Sequence, residues 1–450
     1  MLPSRKTLQI TLTSKNCNLN FSIFFSSYQH DALTTTMSQD TTPALSEQRI
    51  HAMREIPLEK APSPSFIIHE DLLDQNGRIL AHIAAASGAK ILLALKGFAN
   101  FDCFPTIRPY LAGTTSSGLH EALLARDYFG GEQHVYSPAF KARELKTLAR
   151  FAHTLIFNSP QQLENSRAQL LDNNKIQRGL RINPEHSEGG CALYDPCAKG
   201  SRLGCTRAQL DHYLQHAQAD FLTSIDGLHF HTLCEQDADA LERTAQAFEA
   251  KFGDLLPQMK WLNFGGGHHL TRPGYQIERL CTIIQHFKKH YQLEIYLEPG
   301  EAVALHTGLM ATTVLDLFEN NQQYHAILDC SATCHLPDVL EMPYRPSILD
   351  AAEAGVHQYN YQLGGLSCLA GDNFGSYSFE QPLKIGQRLR FLDMAHYTTV
   401  KTNTFNGVPL PAICTYSQQK GLNVRQRFGY EDYRGRLGSQ RESCATLKPD

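Results

Sequence analysis

Four short stretches of the chain carry side chains able to do covalent or proton-transfer chemistry. "ILLALKGFAN" closes an apolar run with a lysine, Lys96, and "HFHTLCEQ" spaces His229 and His231 two residues apart. "NFGGGHH" holds Gly265, Gly266 and Gly267 in a row, and "LEPGE" sets Glu298 and Glu301 on either side of a Pro-Gly pair. A lysine after a buried strand either lifts its ammonium into water along an apolar stem or, desolvated, becomes a neutral nucleophile able to form a Schiff base. Two histidines at that spacing on a strand share a face, as metal ligands or as core side chains. Three glycines make a tight turn, or leave backbone N–H groups open to an anion.

The elements that must position these residues follow from periodicity. From about residue 70, strand-like blocks alternate with helix-compatible ones: "KILLALK", "GTTSS", "QHVYS", "HTLIFN", "RGLRIN", "DGLHFH", "KWLNFGGG" and "LEIYLEPG". Eight such strands with helices between them over 70–310 have the rhythm of an α/β fold, a (β/α)8 TIM-type barrel. Functional groups in such a barrel gather at the carboxyl ends of the strands, where all four stretches fall. Past residue 310 the pattern changes to strands punctuated by Gly, Pro and Asn ("ATTVLDLF", "YHAILDCS", "QRLRFLDM"). This predicts a second, β-rich, barrel- or sandwich-like domain from 311–450, joined by the strand-like "SPSFIIHE" within 55–69 and therefore discontinuous. Residues 1–54 are Ser/Thr-rich, lack helical periodicity and contain a second methionine, Met37; they are expected to be a disordered or over-extended amino-terminal segment.

Bulk composition excludes several classes. Across 450 residues, 41 basic and 45 acidic side chains give a formal charge of −4, with no basic stripe for nucleic acid and no field for an anionic membrane. The apolar "FSIFF" is far too short to span a bilayer. Twelve cysteines without a CxxC pair suit reduced thiols and a cytoplasmic protein. The cluster "CSATCHLPD" (Cys330, Cys334, His335) matches neither zinc-finger nor haem spacing, and no metal is expected.

Taken together, the strand ends supply what pyridoxal 5'-phosphate requires: an amine, unobstructed N–H groups for the phosphate, a carboxylate for the pyridine nitrogen and a flat group against the ring. The stretches "ALKGFAN", "HFHTLCEQ", "NFGGG", "LEPGE", "LGGLSCLAGD" and "MAHYTTVKTNTFNG" resemble the alanine racemase-like, fold-type III pyridoxal-phosphate decarboxylases of ornithine, arginine and diaminopimelate. "NPEHSE", "YDPCAKGSRLG" and "HLPDVLEMPYRP" narrow the resemblance to the branch acting on carboxynorspermidine and carboxyspermidine in polyamine biosynthesis. The resemblance spans about residues 55 to 420. It implies that Lys96 carries the cofactor and handles protons at the substrate α-carbon, that His231 stacks on the ring, that Gly266, Gly267 and Tyr397 hold the phosphate, and that Glu298 faces the pyridine nitrogen. It also implies a head-to-tail homodimer with shared active sites, in which Cys368 is the proton donor reaching into the partner subunit's site. Read alone, Cys368 is equally a small buried hydrophobe.

One position departs from the wider family, where an arginine follows "EPG" and contacts the phosphate. Here stands Glu301, and a glutamate in that orientation would repel a phosphate. The expectation is that Glu301 and Asp338 bind protonated amines of a polyamine precursor, with the partner subunit's Asp372, which like Cys368 reaches across, near its α-amino or terminal amine. For Asp338 a solvated surface acid is the alternative. Three readings compete: decarboxylation of such a precursor or of another basic amino acid (diaminopimelate, ornithine or arginine), a metal hydrolase using the His-x-His pair, and a non-catalytic pyridoxal-binding regulator. The metal reading leaves Lys96 and the glycine turn without partners, and a regulator would be expected to lose the lysine, glutamate and cysteine that this chain keeps.

Overall fold

The computed structural model describes residues 45–170, 175–189, 194–342 and 344–438. Its first strand, β1 (Ser65–His69), runs directly into the helix Glu70–Ser87. Eight parallel strands then close into a barrel: β2 (Lys90–Ala94), β3 (Gly113–Ser116), β4 (Glu132–Tyr136), β5 (Thr154–Phe157), β6 (Gln177–Arg181), β7 (Gly227–His229), β8 (Trp261–Asn263) and β9 (Glu294–Leu297). Closure is made by β9 pairing back on β2, Ile91 opposite Leu297. Each of the eight blocks read from the sequence is one of these strands.

The barrel interior is filled rather than hollow. The chain's single tryptophan, Trp261, packs there with Leu92, Ile156 and Tyr296. Room for its indole comes from glycines on neighbouring strands: a Cβ at Gly227 would stand 2.1 Å from the ring and one at Gly179 2.5 Å from it. The outer helices form because their apolar residues recur at helical spacing. Ile277–Tyr291 buries Leu280, Ile283, Ile284 and Phe287 on one face and leaves its lysines outside.

The β-rich part contains β10 (Gly308–Asn320), β11 (Gln323–Leu328), β12 (Ala351–Glu353), β13 (Tyr359–Gly364), β14 (Asn373–Phe379), β15 (Arg388–Leu392), β16 (Ala412–Ser417) and β17 (Gly421–Gln426). They form one mixed nine-stranded sheet in the order β12-β14-β13-β11-β10-β1-β16-β17, with β15 also paired to β10. β1 lies between β10, antiparallel, and β16, parallel. The sheet is thus built from two distant pieces of chain and is mixed and branched.

The amino-terminal expectation needs correction at its end. Residues 1–44 lie outside the described residues, but Glu47–Arg54 is a helix, N-capped by the Ser46 hydroxyl. It is tied down by buried Arg49, whose guanidinium donates to the carbonyls of Leu305 (2.8 Å) and His306 (3.2 Å) and to Asn76 Oδ1 (2.7 Å). Eight residues with few apolar side chains give too short a period to be read as a helix; the long-range cation anchors it together with Met53, which is fully buried, and Ile50 packed beside it. Among the described residues no helix is long and apolar enough to cross a membrane.

Candidate active site

Lys96 follows β2 by two residues, in a turn at the barrel mouth. Solvent reaches it from the mouth, yet protein surrounds it closely. Desolvation and the nearby Arg181 cation lower its pKa against the opposing pull of Glu298, Cys234 and Glu121. Its Nζ stands 3.3 Å from His231 Nε2. The tautomer of His231 follows from its other nitrogen: Nδ1 accepts the Gly266 N–H at 2.9 Å, so in the neutral ring the proton is on Nε2. Burial, then Lys96 and Arg181, push the His231 pKa well down, so the ring is neutral. The amine is therefore the acceptor in this contact, and the pair favours an unprotonated, nucleophilic Lys96.

Glu298 follows β9 and is buried against two donors. Its Oε1 accepts from Asn263 Nδ2 at 2.7 Å and its Oε2 lies 3.3 Å from His229 Nε2. Burial alone would raise this carboxyl, but His229, together with His134 and the Asn263 amide, outweighs it and holds the group ionised, at about 2. His229 is stacked on Tyr136 at 5.7 Å, and Arg181 lies over the other side of that ring, 4.6 Å from its centroid. The two histidines do share a face, as strand geometry requires, and they act separately, His229 holding the carboxylate while His231 faces the lysine.

The glycine turn after β8 is one that only glycine can make. Gly265 and Gly267 have φ of +68° and +89°, and a Cβ at Gly266 or Gly267 would lie 2.2 Å from the Glu298 carbonyl or 1.9 Å from that of Leu233. The turn borders a small cavity of about 20 Å³ lined also by Lys96, His231, His269, Glu298, Glu301 and Tyr397. His269 is 2 % exposed; its Nε2 faces Glu301, and its Nδ1 has no hydrogen-bond partner. Tyr397 comes from a turn after β15; its N–H donates to the Gly97 carbonyl at 2.8 Å, which ties that turn to the Lys96 loop. The donor set fits pyridoxal phosphate: an amine, an ionised carboxylate, an imidazole, a glycine turn, and a buried histidine with unspent hydrogen-bonding capacity. Of the two glycine N–H groups expected at the phosphate, that of Gly266 is occupied by His231.

The remaining predicted residues divide. Glu301 lines the cavity, with Oε1 3.4 Å from His269 Nε2 and 3.9 Å from His396 Nδ1. Burial works to raise its pKa, but the two histidines hold it ionised. Asp338 opens the short helix Asp338–Glu341 and is bonded to Lys401, whose Nζ also reaches Glu341 at 3.0 Å. Its charge is felt at Tyr397 and Cys234, beside the mouth. Asp372 is fully engaged elsewhere: it accepts from the Ser331 hydroxyl (2.8 Å) and the N–H groups of Thr333 (3.2 Å) and Ser367 (2.9 Å), clamping the loop between β13 and β14. That loop exposes Cys368, away from Lys96, together with Leu366 and Leu369. Among the described residues no group of three or more His, Cys, Asp or Glu side chains is arranged to hold a metal ion. Sequence reasoning assigned no role to His269 and His396, although both stand inside quoted motifs, next to the glycine turn and to Tyr397.

A family model described as the pyridoxal-binding domain of pyridoxal-dependent decarboxylases matches residues 135–305, a span that includes His231, the glycine turn, Glu298 and Glu301. The chain is 46% identical over 382 residues to a carboxyaminopropylagmatine decarboxylase from Synechocystis sp., covering 85% of this chain and 97% of that one. It is 42% identical over 386 residues to a carboxynorspermidine/carboxyspermidine decarboxylase from Campylobacter jejuni, covering 83% and 98%. A crystal structure of carboxynorspermidine decarboxylase from Campylobacter jejuni complexed with norspermidine superposes with a TM-score of 0.76 at 41% identity, over 83% of this chain and 99% of that one. By these likenesses over most of its length, the chain belongs to the carboxynorspermidine/carboxyspermidine decarboxylase family of pyridoxal-phosphate enzymes.

Proposed function

We propose that this chain is a carboxy-lyase that removes carbon dioxide from a carboxylated polyamine precursor, giving norspermidine or spermidine, in polyamine biosynthesis. The observation that carries this reading is the arrangement of Lys96 Nζ against His231 Nε2, with Glu298 ionised at the neighbouring strand end. Bound pyridoxal phosphate would supply an electron sink for the pair left by carbon dioxide. Lys96, its pKa lowered by burial, would hold the cofactor and move a proton at the substrate α-carbon. Glu298 would keep a proton on the pyridine nitrogen. His231 would pack against the ring, and Gly267 and Tyr397 would hold the phosphate, joined by Gly266 once its N–H is released from His231.

Substrate choice is read from carboxylates. Glu301 and Asp338 would each meet an ammonium of the extended chain, Asp338 exchanging its Lys401 partner for the substrate. Asp372, with three donors already, would act by shaping the loop of Cys368. That loop exposes Leu366 and Leu369, and Phe405, in the turn whose Asn406 Oδ1 accepts the Cys368 N–H, is also exposed, each by more than two-fifths, which suits burial against a second copy. In a homodimer, Cys368 would reach the partner subunit's site and give a proton to the carbon that lost carbon dioxide. A cytoplasmic setting suits its free thiol.

The 46% identical relative makes carboxyaminopropylagmatine a second candidate substrate. It shares the amino acid end with the carboxylated triamines and differs at the far end, guanidine instead of amine. Carbon dioxide release from carboxynorspermidine, carboxyspermidine and carboxyaminopropylagmatine, with diaminopimelate, ornithine and arginine as comparison, tests the assignment. Turnover of one or more of the first three is expected. Turnover confined to the last three, or colour without turnover, would overturn it.

A further inference from the structure

Glu301 does not stand alone at the cavity wall. Behind it a chain of charged groups runs from the site into the contact between barrel and sheet. His396 lies between two carboxylates: its Nδ1 is 3.9 Å from Glu301 Oε1 and its Nε2 is 3.3 Å from Asp393 Oδ1. Asp393 in turn accepts the His306 N–H at 2.5 Å through the same oxygen and faces His306 Nε2 at 3.7 Å through the other. The carbonyl of His306 is held by Arg49. His306, Asp393 and Tyr397 all have positive φ, 58°, 60° and 32°, so the backbone on both sides of the cluster is set by its contacts.

Two partly buried carboxylates, with side chains 17% (Glu301) and 20% (Asp393) exposed, are stabilised by a cation set between them. The groups facing His396 are Asp393 from its own turn, Glu301 from the turn after β9, Glu235 from the turn after β7 and, at longer range, His306 and His269. Burial opposes protonation of His396, and Asp393 and Glu301 overcome it, raising the ring to about 9. The ring is thus a fixed imidazolium at neutral pH. His269 Nε2 lies 3.4 Å from the same Oε1, so both imidazoles address one oxygen of a carboxylate that lines the cavity.

We infer that His396 and Asp393 are positioning residues for substrate recognition: the imidazolium, braced by Asp393, aims the Glu301 carboxylate at an ammonium of the bound polyamine. This deepens the proposed function and rests on its assignment of Glu301. It also accounts for a glutamate at the wall of a phosphate-binding cavity, since the paired imidazolium offsets its charge.

The test uses the pyridoxal-phosphate-loaded enzyme and two readouts: steady-state kinetics with carboxynorspermidine, and titration calorimetry with norspermidine. His396→Gln is expected to raise KM and the norspermidine dissociation constant by about tenfold, the scale of one charge-assisted contact, with kcat changed by less than about threefold. Asp393→Asn keeps the ring but removes its brace, so the alkaline limb of kcat/KM should move to lower pH while the ionisation of the substrate itself is unchanged. Glu301→Gln is the reference. If it leaves KM and norspermidine binding unaltered, the reading of Glu301 falls, and the inference with it. If Glu301→Gln weakens binding but His396→Gln and Asp393→Asn do not, or if they lower kcat and not binding, the inference alone is overturned. Should His396→Gln fail to fold, Asp393→Asn and its pH profile decide the question.

Discussion

The amine of Lys96 and Nε2 of His231 stand 3.3 Å apart, with the imidazole proton directed at the amine because Gly266 occupies Nδ1. Two strand ends that face each other across the barrel mouth, those of β2 and β7, thereby prepare one nucleophile. Replacing Lys96 with alanine should abolish the visible absorbance of the lysine-bound cofactor and lower turnover by about 10³-fold or more, within the range of a lost proton-transferring group. Absorbance spectra before and after borohydride check this; an unchanged spectrum in Lys96→Ala would rule the lysine out.

Glu298→Gln should retain the cofactor but lose about 10²-fold or more in kcat, because an amide cannot hold the pyridine nitrogen protonated. The carboxyl is depressed to about 2. Its contribution to stability is therefore present above the ordinary carboxylate range and is lost only as pH falls through about 2. Any acid limb of activity between pH 5 and 7 should consequently persist in Glu298→Gln, measured as kcat against pH.

Alkali should weaken the fold through His396. Its folded pKa of about 9 lies above the ordinary histidine value, so its stabilisation is complete below about pH 6.5 and is lost as pH rises through about 9. Urea midpoints should fall over that interval in the native chain and stay level in His396→Gln, which should itself be less stable at pH 7 by about 3 kcal/mol, as expected for opening a buried ion pair.

Gly227→Ala should destabilise the barrel by about 3 kcal/mol, at the upper end of overpacking costs, since the added methyl would lie 2.1 Å from Trp261. Thermal unfolding followed by the fluorescence of this single tryptophan reports on the same contact. A stable, unshifted Gly227→Ala would mean that the indole can move aside.

Gly267→Ala combines a positive φ with a methyl 1.9 Å from the Leu233 carbonyl. The turn must shift, and the cofactor's apparent affinity should fall at least about tenfold, measured by equilibrium dialysis with pyridoxal phosphate.

The barrel strands were legible because short strand-like blocks alternate with helix-compatible ones, four of them closed by chemically distinctive residues, and the barrel rule then says where those residues meet. The same logic put Lys96, His231 and Glu298 in one place. What escaped was interaction between distant segments. Nothing local says that Asp372 will clamp its own loop through Ser331 and Thr333, that Lys401 will cover Asp338, or that His396 will sit behind Glu301. The helix Glu47–Arg54 escaped for a related reason: a buried guanidinium bonded to distant carbonyls helps hold it, beside the packing of Met53 and Ile50. Charge partners are chosen by the fold, and a single sequence shows the charges without the pairing.

The placement of β1 between β10 and β16 dictates an order of assembly during synthesis. This strand is entirely buried in the finished protein and leaves the ribosome among the first, before any barrel strand. Its partners, Gly308–Ala311 and Ala412–Tyr416, emerge only near the end. Until then an apolar, unpaired strand must wait, joined without a linker to the helix that begins the barrel. Pairings this distant in sequence are slow to form and leave nascent chains prone to aggregate. The protein should therefore depend on chaperones while it is being made, and chains released before residue 412 should accumulate as insoluble material, however complete their barrels.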